Sequence, residues 1–147
     1  MTASRSTDRS LAPLREGASI AVFEDGKILL VRRGRPPFPG LWSLPGGKVE
    51  RREAPREAAC RELKEETGIE ADVDGVVDVV TIAGDGDRHN ASYRLTVFYG
   101  RLRDGRLEAG SDALAAEWVH LDEVEALPLT EGTADLIWGA VHKARLP

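Results

Sequence analysis

The stretch "APREAACRELKEETGI", residues 54–69, constrains this chain more than any other. Pro55 suits the first turn of a helix, where its missing N–H would have no partner, and Gly68 suits the position just past a helix end. Together they predict a helix over residues 55–67. Its start is imperfect: Ala54 offers no side-chain acceptor to the first free amides, at a cost of about 1 kcal/mol against Ser or Asp. At about 100° per residue, with Glu62 at zero, Glu65 falls near −60° and Glu66 near +40°, whereas Ala59, Cys60, Leu63 and Thr67 lie between about 60° and 160°. One side can therefore pack on a core and the other cannot. Like charges at these spacings repel by roughly 0.2–0.5 kcal/mol per pair, so three crowded carboxylates need a reason.

Two reasons compete. The face could be a solvated acidic one, softened by the i, i+4 pairs Glu57–Arg61 and Arg61–Glu65. Alternatively, the carboxylates could hold a hard divalent cation, Mg²⁺ or Mn²⁺, which takes oxygen ligands. The helix alone leaves both open.

The rest of the chain reads as one domain over residues 15–147, preceded by a polar, aperiodic tail over residues 1–14. "ASIAVFEDGKILLVRR" is two apolar runs around Asp25-Gly26, a hairpin signal. The Pro- and Gly-rich "GRPPFPGLWSLPGG" allows little beyond a short strand near residues 42–44. After the helix, "ADVDGVVDVVTIA" is extended with a break near Gly75, and "GDGDRHN" (84–90) is a loop. "SYRLTVFYGRL" is a strand with Tyr93, Leu95, Val97 and Tyr99 on one face. A short strand at "AEWVHL" and a closing helix with Leu136, Ile137, Ala140 and Val141 on its apolar side complete the order.

The net charge of −5 argues against a nucleic-acid polymer or an anionic membrane as partner. It leaves room for a small anion beside a metal or a local arginine cluster. Cys60 is the single cysteine, which excludes an intrachain disulfide and suits a reducing compartment. No apolar run approaches 18 residues, and "MTASRSTDRS" lacks the apolar centre of a signal peptide, so a cytoplasmic location is expected.

Upstream of the helix stands "LPGGKVERRE", in which Gly46-Gly47 permits a turn or a close backbone approach. Five residues separate Gly47 from Glu53 and seven separate Glu53 from Arg61; Glu62, Leu63, Glu65, Glu66, Gly68 and Ile69 follow. This run resembles the Nudix box, G-x5-E-x7-R-E-U-x-E-E-x-G-U with U a bulky aliphatic residue, at all nine specified positions. Flanking sequence over residues 17 to 125 is similar to the family as well. The resemblance implies an α/β fold, a mixed β-sheet sandwiched between helices. It also implies hydrolysis of a phosphoanhydride in a nucleoside diphosphate linked to another group, dependent on Mg²⁺ or Mn²⁺.

Carried over position by position, the resemblance makes Glu62, Glu65 and Glu66 metal ligands and catalytic candidates. The Gly46 carbonyl and Asp112 would add to the metal site, and an Arg61–Glu53 ion pair would hold loop and helix in place. Asp112 also reads as an ordinary turn residue after Gly110-Ser111. The residue before Glu53 is often Gly in the family and is Arg52 here; a positive φ at this position would cost about 1 kcal/mol or more. Arg32, Arg33, Arg88 and Phe38 are candidate substrate contacts, with surface solubility the competing role for the arginines. Trp42 and Tyr93 are read as packing rather than stacking residues.

The box leaves the substrate open. The Pro or Tyr found about 16 residues past the box in ADP-ribose or diadenosine polyphosphate members is absent, with Gly84, Asp85 and Gly86 in the region. A nucleoside triphosphate or small nucleotide sugar is favoured over an ADP-ribose-like compound. The alternative is a nucleotide-sensing module that binds without turnover. A homodimer, frequent in the family, is a further expectation.

Overall fold

The computed structural model describes residues 14–35, 38–83, 92–110 and 112–146. Strands β1 (Leu14–Glu24) and β2 (Lys27–Arg33) form the expected hairpin, with Asp25 and Gly26 at φ 52° and 75°. Two consecutive positive φ values match the right-handed twist of the flanking strands. β1 starts at Leu14, one residue inside the segment read as a tail.

β1 organises the sheet. Its end pairs with β2, while Gly17, Ala18 and Ser19 pair antiparallel with β4 (Gly46–Lys48). On its other side β1 runs parallel to β6 (Ser92–Gly105), in register from Leu14–Ser92 to Phe23–Arg101. β6 pairs antiparallel with β5 (Ile69–Ile82), and β2 carries both β3 (Trp42–Ser43) and β7 (Ala113–His120). The described strands thus make one mixed sheet with β3-β2-β1-β6-β5 as its main path.

Helix α1 (Pro55–Thr67) covers one face and α2 (Thr133–Ala144) the other, as expected of an α/β/α fold. Strand parity decides which side each residue serves. Ala18, Ile20, Val22 and Leu29 join Ala58, Ala59 and Leu63 of α1. Ala21, Phe23, Ile28 and Leu30 join Ile137 and Ala140 of α2. A central strand buried on both faces reads as a continuous apolar run, which is why "SIAVF" does not alternate. Each fully buried Leu or Ile here contributes about 1.5–3 kcal/mol over the exposed state.

The break expected near Gly75 is a set of register shifts inside β5, not an interruption. The 84–90 loop, with Arg88, lies outside the described residues. β7 extends further toward its N-terminus than the strand read from "AEWVHL", and a 3-10 helix (Leu121–Ala126) links it toward α2. Among the described residues no helix is long and apolar enough to cross a membrane.

Candidate active site

α1 has the predicted bounds. Gly68 closes it at φ 76°, its N–H donating to the Lys64 carbonyl. Ala54 supplies no side-chain cap, and Glu57 offsets the loss by accepting the Ala54 N–H at 2.8 Å. Glu57 is therefore turned toward the helix start rather than toward Arg61, contrary to the pairing read from their i, i+4 spacing.

Arg61 holds the site together. Its Nε and Nη2 donate to the two oxygens of Glu53 at 2.7 and 3.0 Å, in the forked geometry that suits guanidinium to carboxylate. Nη2 also donates to the Lys48 carbonyl at 3.0 Å, and Nη1 to Glu62 at 3.1 Å and Glu65 at 3.2 Å. The bond from Arg61 keeps the Glu53 carboxyl below the usual carboxylate range, and the Arg61 guanidinium rises above its own. One side chain thereby ties β4, the loop after it and the carboxylate face of α1.

Gly46 and Gly47 serve close approach rather than a turn. A Cβ on Gly47 would stand 2.5 Å from the carboxyl carbon of Glu62, and one on Gly46 would run into the Ala18 carbonyl and Ser19. The Gly46 amide donates to Glu66 Oε1 at 3.1 Å. Burial pushes the Glu66 carboxyl up to about 8, with the Gly46 N–H pulling back and Glu62 adding repulsion. Glu62 is raised by burial as well, whereas Glu65 stays exposed.

Arg33 and Arg32, adjacent in sequence, separate by strand parity. Arg33 falls on the α1 side with Leu29 and Val31, where its charge favours ionised Glu66. Arg32 falls on the α2 side, aligned with Trp42, and its Nε donates to the Gly40 carbonyl at 3.1 Å. Asp112 acts on Glu62 and Glu66 by like charge, and is itself paired with Arg35 at 2.9 Å, a partner that sequence reasoning missed. Phe38 is exposed at φ 64°. Trp42 packs in the α2-side core, and the Tyr93 ring edge lies against Gly17. Arg52 takes φ 66°, the strained conformation anticipated for it.

The donor set fits a hard cation. It is all oxygen, two of its carboxyls are held toward their neutral form by burial and by neighbouring carboxylates, and Gly47 has no side chain to obstruct Glu62. Among the described residues no three His, Cys, Asp or Glu side chains converge into a finished metal cage. The carboxylates instead hold Arg61 and the Gly46 amide. A cavity of about 590 Å³ lies beside this face rather than over it; Arg56, Cys60, Lys64 and Arg103 line it, and it shares only Arg61 and Glu65 with the ridge. Burial raises the Cys60 thiol, which keeps it protonated near neutral pH.

A mixed sheet between two helices, with an ion-paired loop running into a carboxylate helix, is the class of α/β/α fold that these elements define. Residues 13–137 match the family model for the NUDIX domain, and the chain belongs to the Nudix family. It is 39% identical over 107 residues to an ADP-ribose pyrophosphatase of Methanocaldococcus jannaschii, covering 72% of this chain and 62% of that relative's length. It is 49% identical over 59 residues to a CTP pyrophosphohydrolase of Escherichia coli, covering 40% of this chain and 44% of that one. A solved MutT NUDIX hydrolase from Burkholderia pseudomallei superposes with a TM-score of 0.77 at 31% identity, covering 86% of this chain and 98% of that one.

Proposed function

We propose that this chain is a divalent-cation-dependent pyrophosphohydrolase that cleaves a phosphoanhydride bond in a small nucleoside diphosphate derivative. The observation that carries the reading is Glu66. It is a largely buried carboxyl, steered by the Gly46 N–H and pushed up to about 8 beside Glu62, at the centre of a complete box. A bound cation beside it would favour the ionised form, and a buried, backbone-steered carboxyl next to a second one suits that use.

Glu62, Glu65 and Glu66 are the residues that would hold the cation, Mg²⁺ or Mn²⁺, with Asp112 and the Gly46 carbonyl beside them. When bound, it supplies positive charge against phosphate oxygens and acidity to water. Arg61 and Glu53 fix the direction of Glu62 and Glu65. Arg33 adds positive charge on the same face and would meet a phosphate oxygen; Arg32, on the opposite face, would serve the surface. The proton of the attacking water would go to Glu65, Glu66 or Asp112.

The relatives named above act on ADP-ribose and on CTP by their names, which brackets the substrate class. Within it a nucleoside triphosphate or small nucleotide sugar is our preferred reading. The acidic net charge supports a small molecule over a nucleic-acid polymer, and the lone cysteine supports a reducing, cytoplasmic setting.

The test is hydrolysis, with Mg²⁺, of ADP-ribose, NADH, diadenosine polyphosphates, nucleotide sugars, and normal and oxidised deoxynucleoside triphosphates. Isotopically labelled water shows which phosphorus is attacked. Turnover of one compound, reduced by orders of magnitude in Glu66→Gln, supports the proposal. Tight binding with no hydrolysis anywhere would replace it with a sensing module.

A further inference from the structure

We infer that residues 106–110 form a strap that sets the position of Glu65 and Glu66, with Gly110 as the positioning residue. This rests on the reading of those two carboxylates as cation holders. An α-helix leaves its last four carbonyls without intrahelical partners, and here these belong to Lys64, Glu65, Glu66 and Thr67. The Lys64 carbonyl is taken by Gly68. The Glu66 carbonyl accepts the Gly110 N–H at 2.8 Å, and the Thr67 carbonyl accepts the Glu108 N–H at 2.9 Å. Glu66, one of the ridge residues, and the adjacent Thr67 are thus held by hydrogen bonds from the chain leaving β6.

Contact at Gly110 is tight. A Cβ there would collide with the Glu65 carbonyl oxygen and come within 3.2 Å of Glu66 Cα, and both obstacles are backbone. A flexible side-chain end could swing away from such a clash; the helix or the strap must move as a body. Arg106 makes a similar approach to Gly68, its carbonyl oxygen lying where a Cβ on Gly68 would stand. At its far end the strap is tied to β7, the Gly110 carbonyl accepting the Ala113 N–H at 3.2 Å. The strap therefore fixes the last turn of α1 relative to the sheet. A shift of a few tenths of an ångström at Gly110 is passed on to Glu65 and Glu66.

The first experiment leaves the protein unaltered. Amide hydrogen exchange is followed at Gly110 and Glu108, without and with saturating Mg²⁺. Slower exchange with Mg²⁺ at these two amides is expected, because binding to the carboxylates and the strap's hydrogen bonds to α1 are linked. No change at either amide would overturn the inference.

The second experiment uses Gly110→Ala, with Mg²⁺ affinity read by calorimetry and the Mg²⁺ dependence of hydrolysis read at saturating nucleotide. Weaker Mg²⁺ binding on the order of tenfold, in a protein with native circular dichroism, is expected. Native Mg²⁺ affinity would overturn the inference. Should Gly110→Ala not fold, Glu108→Pro removes one strap donor at an exposed position, and the same readings decide. Glu66→Gln separates the two levels: if it keeps full Mg²⁺ affinity and turnover, the cation-site reading itself fails. If it loses them while Gly110→Ala keeps them, only the strap fails.

Discussion

Gly47 lies beneath Glu62 so closely that a single added methyl group would stand 2.5 Å from the carboxyl carbon. The obstacle is the end of a flexible side chain, so Glu62 can swing aside with little cost to the fold. Gly47→Ala should therefore leave the thermal midpoint near that of the parent. Its half-saturating Mg²⁺ concentration should rise on the order of tenfold, in the range that follows from disturbing groups that orient metal ligands. A midpoint that falls steeply while Mg²⁺ dependence stays native would contradict this ordering of effects.

The Arg61–Glu53 fork gives a second test. Glu53→Gln keeps the shape of the side chain but removes the charge that draws Arg61 toward the loop. Turnover should fall by roughly 10- to 100-fold. Arg61→Lys should not rescue function, since an ammonium cannot reach Glu53, Lys48, Glu62 and Glu65 with a planar set of donors. Near-parental kcat in either variant would show that the fork is dispensable.

Arg52 stores strain away from the carboxylates. Its φ of 66° costs a non-glycine residue roughly 1–2 kcal/mol, and glycine would return about 0.5–1 kcal/mol of this in unfolded-state entropy. Arg52→Gly should thus raise stability by up to about 1 kcal/mol. Urea unfolding at equal m-value measures it, and a lower midpoint would contradict the strain.

Glu66 makes metal-free stability depend on pH. Its carboxyl is raised from an ordinary value of 4.5 to about 8, so the folded chain binds the proton more tightly than the unfolded chain. The stabilisation this provides is full below about pH 4.5, falls as pH rises, and is gone above about pH 8. Unfolding midpoints in EDTA across that window should decline, and Glu66→Gln should flatten the part of the decline due to this group. Mg²⁺ should stabilise the parent more at pH 8.5 than at pH 6, because the ion must displace that proton. An equal Mg²⁺ effect at both values would sink the assignment.

Local punctuation was legible in the sequence. Pro55 and Gly68 bound α1 where the structure bounds it, and Asp25-Gly26 turns the hairpin, because each depends on the φ of one or two residues. Arg52 was legible for the same reason. Spacing alone misled at Glu57, since a helix start without a side-chain cap competes for that carboxylate and wins. The parting of Arg32 from Arg33 required knowing the register of β2, a two-residue period that the short run "RR" cannot reveal. Asp112–Arg35 and the Gly110 contact join segments far apart in the chain, and glycine spacing gave no hint of either.

The parallel pairing of β1 with β6 has a consequence for how the chain acquires its shape. As the polypeptide leaves the ribosome, the hairpin and α1 are complete long before residue 92 appears, so the central strand waits with one hydrogen-bonding edge and parts of both apolar faces bare. Closure over such a long span is slow, and an open edge of this kind invites pairing with another nascent chain. Holding back the C-terminal half, by truncation before β6 or by stalled translation, should leave a species that chaperones capture.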